Sequence, residues 1–328
     1  MNYENILITG ITGQDGIFLT KKILLENKNF KIYGATRGNQ SKNFFNKLGL
    51  ISEDINFSNI SLISLDLKNA FEVEKLISDI NPRMIYHLSG PSSVYESYLN
   101  PSETKEAINS IYNNITESCI RQRIFPALFN ASSSETFSKD NNKPLNEQSK
   151  FGPRSPYAEA KYRLFERTVE LRNLYDWNTK SGIMFNHESQ FRADNYLIMK
   201  IINEAINIKS GKSNNLEVGS LSYIRDWSYA GDVADAIYMI NSSKLAEDYV
   251  IGSGVGHTIE NLVEKVFLYF NLEYKEFIST NKSLLREGDP VSIVSDPSKI
   301  KTELNWETKL NFDNLINICI EYKLSRIS

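Results

Sequence analysis

Short apolar runs alternate with longer amphipathic stretches over the first half of this 328-residue chain. That alternation constrains the fold more than any other feature. Ile6-Leu7-Ile8-Thr9 reads as a buried strand ended by glycine, and 18–25 as the helix after it. Strands are predicted at 30–35, 61–65, 84–88, 127–131 and 180–186, and helices at 71–80, 107–121 and 155–174. Strand and helix taking turns imply a doubly wound parallel sheet with right-handed crossovers, a Rossmann-like α/β fold. After Asn186 the rhythm breaks into shorter, mixed segments, which implies a smaller mixed α/β substrate domain. A helix at 229–241 reads as a return to the first domain. The expected division is 1–186 plus a return segment at about 226–251, against 187–225 and 252–328.

Composition narrows the partners. A formal charge of −3 provides no basic footprint for nucleic acid. The two cysteines, Cys119 and Cys319, lie in apolar stretches without metal-ligand spacing, so they read as reduced core thiols and no metal site is expected. The N-terminus lacks a basic region, and no apolar run is long enough for a signal core or a membrane span. The expectation is a soluble, cytoplasmic protein without membrane or nucleic-acid partners.

The first strand runs into Thr9-Gly10-Ile11-Thr12-Gly13-Gln14-Asp15-Gly16. Glycine lets backbone approach a pyrophosphate closely, and the following helix points its N-terminal amides at that anion. At the first strand-to-helix turn this is where a dinucleotide fingerprint belongs. An NAD enzyme places Asp or Glu after the second strand. Here Thr36-Arg37-Gly38 stand there, and Arg37 suits a 2′-phosphate, which favours NADP over NAD.

Tyr157 and Lys161 stand four residues apart, on one helical face. Ser155-Pro156 suits an N-cap and first helical position, which places Tyr157 in the first turn. A neighbouring ammonium favours the phenolate. Upstream, Ser132-Ser133-Ser134-Glu135 supplies hydroxyls and a carboxylate beyond the fifth strand. A hydroxyl from this run is suited to holding a substrate oxygen beside Tyr157.

The Gly-x-x-Gly-x-x-Gly turn with Tyr-x-x-x-Lys resembles the extended short-chain dehydrogenase/reductase family. Ser132-Ser133-Ser134-Glu135 and Phe185-Asn186-His187-Glu188-Ser189 are similar to segments of its GDP-mannose 4,6-dehydratase branch, with Ser133 in place of the catalytic Thr. Tyr223-Ile224-Arg225-Asp226-Trp227, the Arg286 region, Asp296-Pro297-Ser298-Lys299 and Leu304-Asn305-Trp306 resemble later segments. The likeness therefore runs, in order, over nearly the whole chain.

The resemblance implies a nucleotide-sugar 4,6-dehydratase using NADP. The catalytic residues would be Ser133, Glu135, Tyr157 and Lys161, with Glu135 the general base. The cofactor would meet Gly10, Thr12, Gly13, Gln14, Asp15, Gly16, Arg37, Asp66, Leu67, Leu88, Ser89, Tyr157, Lys161 and His187. The sugar nucleotide would meet Ser92, Glu135, Asn186, Arg192, Lys200, Arg225 and Arg286. Thr136-Phe137-Ser138 stand where the family has Tyr-Gly, and Gly38 replaces a second Arg. The alternatives are a C4 reductase or epimerase, a dehydratase on another sugar such as a heptose, and an NADP-binding sensor protein. Helices 107–121 and 155–174 suit pairing across a two-fold axis, implying a homodimer, with a homotetramer as the larger assembly.

Overall fold

The structure, a computed structural model, describes residues 4–52, 56–141, 143–285 and 288–327. Two compact units share the chain. The first comprises Met1–Ser138, Lys150–Met184 and Ala234–Tyr249, and the second Lys139–Ser149, Phe185–Val233 and Val250–Ser328.

The first unit begins with β1 (Glu4–Thr9), α1 (Gln14–Glu26), β2 (Phe30–Thr36), α2 (Ser41–Leu50), β3 (Ile60–Ser64) and α3 (Ala70–Ile80). It continues with β4 (Met84–His87), α4 (Val94–Leu99), α5 (Pro101–Gln122), β5 (Ala127–Ser133), α6 (Pro156–Tyr175) and β6 (Thr179–Met184). Beyond it run β7 (Asn186–Glu188), α7 (Leu197–Lys209), β8 (Leu216–Val218), β9 (Ile224–Tyr229), α8 (Ala230–Ser242) and β10 (Tyr249–Ile251). The chain closes with β11 (Gly256–Thr258), α9 (Ile259–Tyr269), β12 (Ile278–Thr280), β13 (Ser292–Ile293), α10 (Ser298–Leu304) and α11 (Phe312–Ile327).

The main sheet has the order β10-β6-β5-β4-β1-β2-β3. Pairing is parallel from β3 through β6, with Ile8 opposite both Gly34 and Tyr86. Ile6, Leu7 and Ile8 are wholly buried, as a central strand covered on both faces requires. Strand order reverses beside β1, so the carboxyl ends of β1 and β4 flank the switch point where α/β sheets place ligands. Ile85, Tyr112, Ile115, Leu128, Ala160 and Leu164 form one core cluster there.

In the second unit β9 is the hub, pairing parallel with β7 and β13 and antiparallel with β11. A separate cluster gathers Ile198, Ile202, Trp227, Val266, Phe267 and Leu315. The segments 139–149 and 226–233, assigned to the first domain from sequence, make their contacts in this unit. Leu145 exchanges backbone bonds with Val294 and Asp296, both at 2.8 Å. Val250 N–H donates to Glu147 at 2.7 Å. The strand expected over 180–186 ends at Met184, and Phe185 N–H turns to Ile251 O at 2.9 Å. Among the described residues no helix is long and apolar enough to cross a membrane.

Candidate active site

Because β1, β4 and β5 are parallel, their carboxyl ends deliver three loops to one edge. Gly10, with φ +73°, makes the turn after β1; a Cβ there would meet the Leu88 carbonyl carbon and the Ser89 nitrogen at 2.9 Å. At Gly16 a Cβ would come within 2.5 Å of the Ile11 backbone, so glycine permits α1 to press onto the turn. Gly13 is the N-cap of α1 and makes no side-chain cap bond. A close backbone turn opening a helix N-terminus fits a dinucleotide pyrophosphate. Thr12 and Asp15 are half-buried in this turn and Gln14 is buried. The Ser89 hydroxyl donates to Thr9 Oγ1 at 2.9 Å, tying the β4 loop to β1.

Arg37 is exposed at the end of β2, where the Thr36 hydroxyl donates to Gly38 O. Asp66 is exposed and accepts from Lys68 N–H at 2.9 Å. Leu67 is buried. Asn114 of α5 donates to Leu67 O and Lys68 O at 3.0 and 2.9 Å, which fixes this loop.

The Ser155 hydroxyl accepts from Ala158 N–H at 3.1 Å and caps α6, with Pro156 in the first turn. Tyr157 is buried on that turn, and one turn on the Lys161 ammonium lies 5.9 Å from its ring centroid. Lys161 donates to Ala131 O on β5 at 2.8 Å. Burial pulls the Lys161 ammonium down to about 8, against the raising pull of Asp15. β5 ends at Ser133, whose hydroxyl oxygen accepts from Glu135 N–H at 3.3 Å. Glu135 sits in the single 3-10 turn that follows, with Arg154 Nη2 3.7 Å from its carboxylate. The structure thus gathers Ser133 and Glu135 at the end of β5 and ties Lys161 to the same strand.

The remaining predicted residues divide. Leu88 and Ser89 are half-buried at the end of β4, and Ser92 is exposed beyond them. Asn186 and His187 lie on β7 opposite Trp227 and Ser228. His187 Nδ1 donates to Phe185 O at 2.7 Å, since a carbonyl only accepts. Arg192 pairs with Glu188 at 3.0 Å and covers the Tyr196 ring at 3.5 Å. Lys200 is exposed on α7. Arg225 is buried, pairs with Asp289 at 2.9 Å and donates to Ile224 O and Pro290 O. Arg286 lies outside the described residues.

Sequence reasoning missed Thr9, Asn114 and Arg154. Arg154 alone left a local signal, lying three residues before Tyr157. The roles of Thr9 and Asn114 depend on loops far away in sequence.

A family model described as GDP-mannose 4,6 dehydratase matches residues 7–319. The chain belongs to the GDP-mannose 4,6-dehydratase family. It is 31% identical to GDP-mannose 4,6 dehydratase 2 of Arabidopsis thaliana, over 97% of this chain and 86% of that protein. Among solved structures it matches dTDP-glucose 4,6-dehydratase DesIV from Streptomyces venezuelae, with NAD and TYD bound. The TM-score is 0.83 at 17% identity, covering 98% of this chain and 97% of that one. It also matches RMD from Pseudomonas aeruginosa complexed with NADPH, with TM-score 0.79 at 18% identity over 99% and 98% of the two chains. At such identities the two structures speak for the fold, and the family rests on the sequence.

Proposed function

We propose that this chain is a nucleotide-sugar 4,6-dehydratase, acting on GDP-mannose with NADP. The observation that carries the reading is Glu135, bonded through its backbone to Ser133 beyond the strand that Lys161 grips. Oxidising or epimerising C4 needs only a proton acceptor for the hydroxyl. A carboxylate in addition is what removal of a proton from C5 calls for.

In this proposal Tyr157, as phenolate, takes the C4 hydroxyl proton, with Lys161 supplying the nearby positive charge. Lys161 retains its proton at neutral pH, because burial brings it only to about 8. The Gly10–Gly16 turn would hold the pyrophosphate of a nicotinamide cofactor, which would supply a hydride acceptor for C4 and a hydride for C6. The C4 ketone acidifies C5–H, and Glu135 removes that proton. Glu135 passes that proton to the departing C6 hydroxyl, which leaves as water. Hydride at C6 with a proton at C5, balancing the one Tyr157 took from the C4 hydroxyl, completes the 4-keto-6-deoxy sugar. Ser133 is assigned the substrate oxygen beside Tyr157. Asn186, Arg192, Lys200, Arg225 and Arg286 are assigned to the nucleotide sugar, with Arg225 exchanging Asp289 for phosphate oxygens. Arg37 supports NADP, as a guanidinium matches a 2′-phosphate. A cytoplasmic homodimer pairing through α5 and α6 belongs to the same proposal.

Incubation of the pure protein with NADP+ and a panel of nucleotide sugars including GDP-mannose tests this by product mass. The expected result is loss of one water from one member with no net cofactor consumption. Glu135→Gln should still oxidise C4 but stop water loss. Reduction of 4-keto sugars without any water loss would replace the reading with a C4 reductase.

A further inference from the structure

The chain leaves the first unit after Ser138 and returns to it at Lys150. At the neck of this excursion the two passes are clipped together. Ser138 N–H donates to Lys150 O and Gly152 N–H to Thr136 O, both at 2.9 Å. Phe137 and Phe151 form an antiparallel bridge, and their rings stack 5.2 Å apart and 6° from parallel. Gly152 is a requirement of the clip, because a Cβ there would lie 2.8 Å from Ser138 Cβ. Two residues on, Arg154 O accepts from the Tyr98 hydroxyl at 3.1 Å, and Ser155 then caps α6.

Arg154 is therefore pinned by the clip, by α4 and by the helix cap. The outgoing pass of that clip begins directly after Glu135. Closing the neck brings the guanidinium back to the Glu135 carboxylate, with both side chains under one-fifth exposed. A solvent-exposed ion pair forms without such anchoring, whereas this one is mostly covered. A carboxylate that must meet one C–H bond does need a fixed direction, since small misplacement of a reacting group costs rate steeply.

Resting on the dehydratase reading, we propose that Arg154 is a positioning residue for the general base, aiming Glu135 at C5 during water loss. The consequence is confined to one step. Arg154→Met leaves C4 oxidation intact and slows elimination. Its kcat should fall roughly 10-fold to 100-fold, at or below the low end of what a general base contributes, with KM nearly unchanged. With enzyme in excess over GDP-mannose, rapid-quench mass spectrometry should find the 4-keto hexose, two hydrogens lighter than substrate, accumulating in the variant and not in the wild type. Arg154→Lys should recover part of the rate. Tyr98→Phe, at an exposed position, should show a smaller accumulation and guards against misfolding of the Arg154 variants.

Full activity in Arg154→Met, or slowing without the 4-keto hexose, would overturn the inference. A wild-type enzyme that removes no water would overturn the functional reading and this inference with it, so the two failures are distinguished by the wild-type arm.

Discussion

His87 lies on β4 with 1% of its surface exposed. Its Nδ1 is 3.2 Å from the Thr9 hydroxyl, and Nε2 meets no hydrogen-bond partner among the described residues. Burial, with the Lys161 charge acting in the same direction, lowers its pKa from 6.5 to about 3. The fold therefore holds a neutral imidazole, while an unfolded chain takes a proton below pH 6.5. This contribution to stability is complete above that pH and is lost as pH falls toward 3, at about 1.4 kcal/mol per unit. Between pH 8 and pH 5 the wild type should lose about 2 kcal/mol more than His87→Gln. Urea unfolding of both proteins at the two pH values measures this, and equal losses would sink the idea. Legibility differs among residues for the same kind of reason. Tyr157 and Lys161 could be read because their relation is one helical turn. His87 looked like any residue of an apolar run. Its state follows from Tyr112 and Lys161, which arrive from distant elements.

At the element scale, the start of α6 decides where Tyr157 sits. Ser155 is buried, caps the helix, and stands directly after Arg154. Ser155→Ala removes the acceptor for Ala158 N–H and should cost about 0.5–2 kcal/mol. Because Tyr157 lies in the freed turn, kcat should drop more than KM rises. Ser155→Thr, which keeps the hydroxyl, should restore most of both, as urea unfolding and steady-state rates would show. That boundary was legible because Ser-Pro is a chemical start signal. The start of α5 was not: it begins at Pro101, six residues before the expected 107. Its first turns, Ser102 to Glu106, are polar and carry no apolar period. The strands β7, β8, β10 and β11 span three residues each. Such lengths hold too few positions for an alternation to register, which is why the second unit was described from sequence only as mixed.

At the scale of the whole molecule, chain order and fold order part company. The first unit is completed by 234–249, fifty residues beyond the end of β6. Ala234, Ile237, Ile240 and Tyr249 are wholly buried. Asn241 donates to Ile85 O at 3.2 Å. Lys180, itself buried on β6, donates to Asn241 O and Ser243 O at 3.0 and 2.7 Å, and burial pulls its ammonium down to about 8. Asp248 accepts from Arg172 Nη2 and Nη1, at 2.7 and 3.1 Å, and also from Ser181 N–H. A fragment ending at 184 keeps every strand from β1 to β6 but leaves Lys180 and Arg172 without these partners. Losing the burial of Ile237 and Ile240 as well, at roughly 1.5–3 kcal/mol for each fully buried side chain, removes a large part of the 5–15 kcal/mol that typically separates folded from unfolded chains. Residues 1–184 should therefore show no cooperative urea transition by circular dichroism. A chain in which a short linker joins 184 to 234 and which ends at 249 should regain one. Cooperative unfolding of 1–184 alone would show that the return segment decorates the first unit and does not complete it. The helix at 230–242 was anticipated from its apolar period. Its necessity was not, because the acceptors it supplies are backbone carbonyls, which no side-chain pattern reveals.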